Sequence, residues 1–164
     1  LDVVSRRFQF VSLGYSFRAT EMEAALGVAQ LEKKDAILLA RRENAMYLLH
    51  GLKKFDHFLQ LPWWPKHSNH AFMMFPLVIL ERAGFSKSDL VMHLEENNIE
   101  TRDMLPLLNQ PIYKKIFGNI EDQYPVAKWI NNNGFYIGCH QKILKKELNY
   151  ILAKFGEFFE ARQK

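Results

Sequence analysis

Apolar and polar positions change period several times along the chain, and each change marks an element. From Thr20 the period is helical, with apolar residues at Leu26, Ala29, Leu31, Ile37, Leu38, Met46, Leu48 and Leu49. Thr20 and Glu23 form a capping-box signature at its start. The spacing predicts one helix over 21–54, bent near Asp35, with Gly27 tolerated inside it as a point of close packing. Residues 58–61 read as a short strand, and the nearly continuous apolar run 71–80 as a buried one. Pro76 cannot donate to a ladder, so it calls for an edge or a bulge there. Ser86 and Asp89 repeat the capping-box pattern and open a helix to about Asn97, closed by a turn at Asn97–Asn98. A strand over 99–104, a short helix near 111–117 and a helix from Pro125 to about Asn132 follow. Residues 134–138 read as a strand. Residues 142–161 read as an amphipathic helix with Leu144, Leu148, Ile151, Leu152, Phe155, Phe158 and Phe159 inward. This order predicts an α+β fold: a small antiparallel-type sheet with helices on one face, preceded by a long helix.

Composition narrows the class. The 164 residues are 48% hydrophobic and 24% charged, values that exclude a disordered or disulfide-stapled chain. No window approaches 18 consecutive apolar residues, so no membrane helix and no membrane partner are expected. The net charge is +4, but 22 basic residues stand against 18 acidic ones, and the cation pairs fall in helical segments beside acids. That pattern reads as solvated helix faces rather than a nucleic-acid surface, and it suits an anionic small molecule. Cys139 is the only cysteine, so no internal disulfide forms, and with no signal-peptide pattern at the start a cytoplasmic home is expected.

Candidate chemistry is sparse. His67 and His70 lack a nearby Cys or acid, so no metal site is expected. Trp63–Trp64, bracketed by Pro62 and Pro65 and followed by His67, reads either as an aromatic platform for a sugar or base or as a hydrophobic plug. Cys139 and His140 are strand neighbours facing opposite ways, which makes Cys139 a core thiol and not a nucleophile. There is no phosphate-binding glycine loop and no nucleophile elbow. These rules alone give an α+β domain without a self-sufficient active site.

The segment from Leu13 to Lys33, beginning Leu13-Gly14-Tyr15-Ser16-Phe17-Arg18-Ala19-Thr20-Glu21, changes that picture. It resembles the G-Y-N-x-R-x-T/S-E-x-x-A-A-L-G-x-x-Q-L-x-K block of the DegT/DnrJ/EryC1/StrS family of pyridoxal-phosphate-dependent sugar aminotransferases and their dehydratase relatives. Further echoes follow in the family's order. Glu100-Thr101-Arg102 lies in the "GI-x-T-R" strand, and Gln110-Pro111-Ile112-Tyr113 matches "Q-P-x-Y". Tyr124-Pro125-Val126-Ala127 matches "F-P-x-A", and the run ending in Cys139-His140 stands at a strand ending in "L-P-x-H".

The resemblance implies the small domain of the aspartate-aminotransferase fold type: an interdomain and active-site segment over 1–19, a linking helix over 20–55 and a C-terminal α+β domain over 56–164. The large domain, with the lysine that bonds pyridoxal 5'-phosphate (PLP), is expected outside this chain, so no catalytic residue is assigned here. The resemblance gives Ser16 and Arg18 to the cofactor phosphate of a neighbouring subunit, Ser16 standing where the family has Asn. It gives Tyr15, Arg102, Asn109 and His140 to the substrate. Asn109 stands where a family "P-L-H-x-Q" stretch carries its His, which this chain lacks. The implied activity is transfer of an amino group from glutamate to a keto-deoxy nucleotide sugar by a homodimer. The rivals are a 3-dehydratase of the same family, which replaces the lysine with His, and a non-catalytic α+β binding module.

Overall fold

The computed structural model describes residues 17–104, 108 and 110–162. The chain divides into two compact units, residues 1–34 and 35–164. In the first, helix α1 (Glu21–Leu31) is capped as its sequence dictates. Thr20 Oγ1 accepts from the Glu23 amide at 3.2 Å, and the Glu23 carboxylate accepts from the Thr20 amide at 2.8 Å. No residue of α1 is buried. A Cβ built at Gly27 meets nothing within 4 Å, so the expected close packing there is corrected: Met22, Leu26 and Leu31 are exposed beside it.

The expected long helix is two helices. A turn at Glu32–Lys33 separates α1 from α2 (Lys34–Leu52), slightly ahead of the bend expected near Asp35. Helix α2 buries Ala45, Leu48 and Leu52, one stripe at three- and four-residue spacing. Gly51 of α2 is tightly packed instead: an added Cβ there would run into the Leu152 side chain.

In order after α2 come β1 (Leu59–Gln60), β2 (Met74–Ile79), α3 (Lys87–Glu96), β3 (Thr101–Asp103), α4 (Pro111–Phe117), α5 (Pro125–Asn133), β4 (Gly134–Gly138) and α6 (Lys145–Glu160). The strands form one sheet in the order β1-β2-β4-β3, every neighbouring pair antiparallel. The fold is the expected α+β arrangement. Pro76 obeys its constraint: β1 pairs only with Val78 and Ile79, so beside Pro76 the β1 side of β2 carries no partner strand. Asn98 takes the left-handed conformation at φ 59° and turns the chain out of α3, a role a short polar side chain tolerates.

Register sorts the residues into two faces. Phe75 pairs with Ile137 and Leu77 with Phe135, and these four with Ile79 are buried. Against them pack Leu90 and Leu94 of α3, the α2 stripe, and Leu148, Ile151, Phe155, Phe158 and Phe159 of α6. Leu144 and Leu152 depart from the expected inward row. Leu144 caps α6 from outside and is exposed, whereas Leu152 is half-buried over Gly51. The other face carries Gln60, Val78, Pro76, Tyr136 and Arg102, one row running Pro76–Tyr136–Arg102 across three strands.

Candidate functional site

That second face is where the chain's unusual surface lies. Pro62 and Pro65 hold an extended loop over its β1 end, and the tryptophans within it divide their labour. Trp64 is half-buried and meets Phe72 edge-on at 5.0 Å, so it plugs the loop. Trp63 is 83% exposed. Both line a cavity of about 270 Å³ floored by Pro76, Val78 and Met104 and closed by Ile130 of α5. Two polar side chains enter its wall, Gln60 and His70. His67, expected beside the tryptophans, is exposed and is not among the lining residues.

The His70 corner is braced. Its Nδ1 accepts from the Phe72 amide at 3.0 Å, which places the ring proton on Nε2. Its carbonyl accepts from Arg42 Nε at 3.0 Å. Phe72 is bulky and buried, yet sits at φ 47°, an outlier for such a residue and the kind of strain that collects at ligand-binding positions.

Arg102 stands at the far end of the row, exposed, with Tyr136 between it and Pro76. Its Nε and one Nη donate to Glu100 Oε1, and that hydrogen bond, with the charge on Glu100, raises its already high pKa. A guanidinium has five donors, so N–H groups remain for an anion. Lys87 ties this end of the sheet down, donating to Asp103 at 2.8 Å and to the Asn131 carbonyl at 3.0 Å.

His140 lies elsewhere. It lines a groove of about 450 Å³ between the end of β4 and α6, with Asn98, Glu100, Lys142, Glu147 and Tyr150. Its Nδ1 accepts from the Lys142 amide at 3.2 Å, and its carbonyl accepts from Asn44 at 2.9 Å. Arg102 does not line that groove, so these two candidate residues share no pocket among those described. Tyr15, Ser16 and Asn109 lie outside the described residues. Arg18 belongs to the other unit and is exposed just ahead of α1. Cys139 is buried, donates weakly to the Arg41 carbonyl, and burial pushes its thiol pKa up to about 11, which fits a core thiol. Sequence reasoning missed Gln60 and Tyr136 and weighed His70 only as a metal ligand, because strand register and the loop's path alone put these residues beside Trp63 and Arg102.

The family model described as the DegT/DnrJ/EryC1/StrS aminotransferase family matches residues 2–156. The chain belongs to that family. It is 32% identical over 155 residues to the lipopolysaccharide biosynthesis protein RfbH of Salmonella typhimurium, covering 93% of this chain and 36% of the relative. It is 29% identical to dTDP-4-dehydro-2,6-dideoxy-D-glucose 3-dehydratase of Saccharopolyspora spinosa, with 93% and 33% covered. GDP-perosamine synthase of Escherichia coli O157:H7 is 27% identical, with 95% and 41% covered. Among solved structures, E. coli GDP-4-keto-6-deoxy-D-mannose-3-dehydratase with bound hydrated PLP superposes with a TM-score of 0.74 at 28% identity, over 93% of this chain and 39% of that one. The chain therefore spans between a third and two-fifths of the length of these relatives.

Members of the DegT/DnrJ/EryC1/StrS family include structures that hold PLP. Thr20 and Glu23 satisfy each other at the start of α1, which leaves the exposed Arg18 guanidinium, with no hydrogen bond or ion pair among the described residues, as the cation beside it. Guanidinium forks suit phosphate oxygens.

Proposed function

We propose that the chain is the small-domain portion of a PLP-dependent enzyme acting on a keto-deoxy nucleotide sugar, in the synthesis of a surface polysaccharide or a glycosylated metabolite. The match to the family over residues 2–156 carries this reading. Of the family's two reactions, removal of the 3-hydroxyl is the better supported. The relative from S. spinosa and the superposed E. coli structure are both named 3-dehydratases, at 29% and 28% identity. Transfer of an amino group from glutamate is the second reading, favoured by the family's description and by the perosamine synthase relative.

PLP, when bound, supplies the electron sink for either reaction. In this reading Arg18 and Ser16 hold its phosphate across a homodimer interface, and Tyr15, Arg102, Asn109 and His140 serve the substrate. The enzyme works in the cytoplasm; no helix among the described residues is long and apolar enough to cross a membrane. The intact gene product, supplied with PLP, ¹⁵N-glutamate and 4-keto-6-deoxyhexoses linked to GDP, dTDP or CDP, tests this. A sugar that loses its 3-hydroxyl and carries no ¹⁵N supports the dehydratase. A ¹⁵N-labelled amino sugar replaces it with the aminotransferase. Unchanged sugars in every case sink both readings.

A further inference from the structure

The cavity beneath Trp63 has the make-up of a site for a flat ring. Its wall is aromatic, its floor is the Pro76 ring and the Val78 side chain, and only two polar side chains reach it. A hexose could lay one C–H face on Trp63, but its rim of hydroxyls calls for more partners than the two polar side chains present. A nucleobase presents two π faces and one polar edge, and Gln60 matches such an edge. Its amide offers a donor and an acceptor together, and it makes no hydrogen bond among the described residues. His70 adds a second donor, because its Nδ1 is already occupied and its proton sits on Nε2.

The row Pro76–Tyr136–Arg102 then gives the direction of the rest of a ligand. Adjacent strands lie about 4.8 Å apart, so Arg102 stands roughly 10 Å across the sheet from the cavity floor. A ribose and two phosphates have that reach. Arg42 donates through Nε to the His70 carbonyl and braces that corner of the cavity without lining it. Three acids stand at the Arg102 end: Glu100 shares its charge with Arg102, Asp103 is paired with Lys87, and Glu95 is bonded to Thr101.

We infer that the Trp63 cavity is the nucleobase subsite of the chain, with the base against Trp63, its polar edge on Gln60 and His70, and the diphosphate directed along the Pro76–Tyr136–Arg102 row to Arg102. The inference rests on the nucleotide-sugar reading and specifies how that substrate is held. It also leaves a signature that does not depend on turnover.

The test titrates this chain with GDP, dTDP, CDP and inorganic pyrophosphate while following the indole N–H resonances of its three tryptophans, Trp63 assigned by Trp63→Phe. At least one nucleoside diphosphate should shift the Trp63 resonance and bind more tightly than pyrophosphate. Trp63→Ala should weaken that nucleotide about tenfold and leave pyrophosphate unchanged, the size expected for one base–aromatic stack. Because Trp63 is exposed, its loss leaves the core intact, and an unchanged thermal midpoint for Trp63→Ala confirms this. Pyrophosphate binding as well as every nucleotide, or a nucleotide affinity indifferent to Trp63→Ala, overturns the inference. Nucleotide binding through Trp63 in a protein whose intact form turns over no keto sugar would sink the enzymatic reading and leave the subsite standing.

Discussion

The two faces of the sheet are built from alternate residues of the same strands, yet they obey different rules. On one, Phe75, Leu77, Phe135 and Ile137 are sealed under three helices. On the other, one residue along in each strand, stand Pro76, Tyr136 and Arg102, covered in part by Ile130 of α5 and by a loop with an exposed tryptophan. The first face is a packing solution whose buried side chains are all apolar, with the polar Thr101 and Asp103 only at its β3 edge. The second combines aromatic area, a cation and free hydrogen-bonding groups, which core packing does not require and ligand binding does. Stability should therefore reside on one face and recognition on the other.

Substitutions at neighbouring positions of β4 break that comparison most directly. Phe135→Ala empties a fully buried site and should cost about 3–5 kcal/mol in urea unfolding, whereas Tyr136→Ala, one residue away, should cost far less. Equal losses would mean that both faces are core. Gly134→Ala comes next: its Cβ would meet the Ile130 carbonyl oxygen at 2.5 Å and Met104 Sδ at 3.0 Å, so α5 or the strand must shift. About 1–3 kcal/mol of destabilisation is expected by thermal or urea melts.

Ser86→Ala removes a reciprocal cap and should cost about 1 kcal/mol by the same melts, without touching either face of the sheet. Its partner Asp89 has its pKa lowered by the hydrogen bonds from the Ser86 amide and hydroxyl. A lowered folded-state pKa adds stability above the ordinary carboxylate value, and that part is lost as the pH falls through the lowered one. Asp89→Asn should thus flatten the acid limb of a stability–pH profile, and a limb of unchanged slope would contradict this cause. The smallest effect on stability belongs to Arg102→Ala, whose ion pair with Glu100 is solvent-exposed, so its urea midpoint should stay with the parent's. Its binding of nucleoside diphosphates should nevertheless fall, measured by titration calorimetry.

Much of this was legible in the residues. The caps at Thr20 and Ser86, the proline starts of α4 and α5 and the α6 stripe are local signals, and each element formed where its signal stood. The interruption at Glu32–Lys33 was blurred because the apolar period runs on through it. Gly27 and Gly51 look alike in sequence, and only the Leu152 side chain three-dimensionally beside Gly51 separates a packing glycine from an open one. The candidate site was half visible. The tryptophan pair could be picked out by residue type and Arg102 by the family resemblance, but the alignment of Pro76, Tyr136 and Arg102 depends on register between strands far apart in the chain.

The most direct check is a map of backbone amide shifts over residues 35–162 on adding a nucleoside diphosphate. Shifts clustered at Gln60, Trp63, His70, Tyr136 and Arg102, with Leu77 and Phe135 still, are what the account predicts. Shifts confined to the groove around His140, Lys142 and Tyr150 would contradict it and move the binding face to the other side of β4.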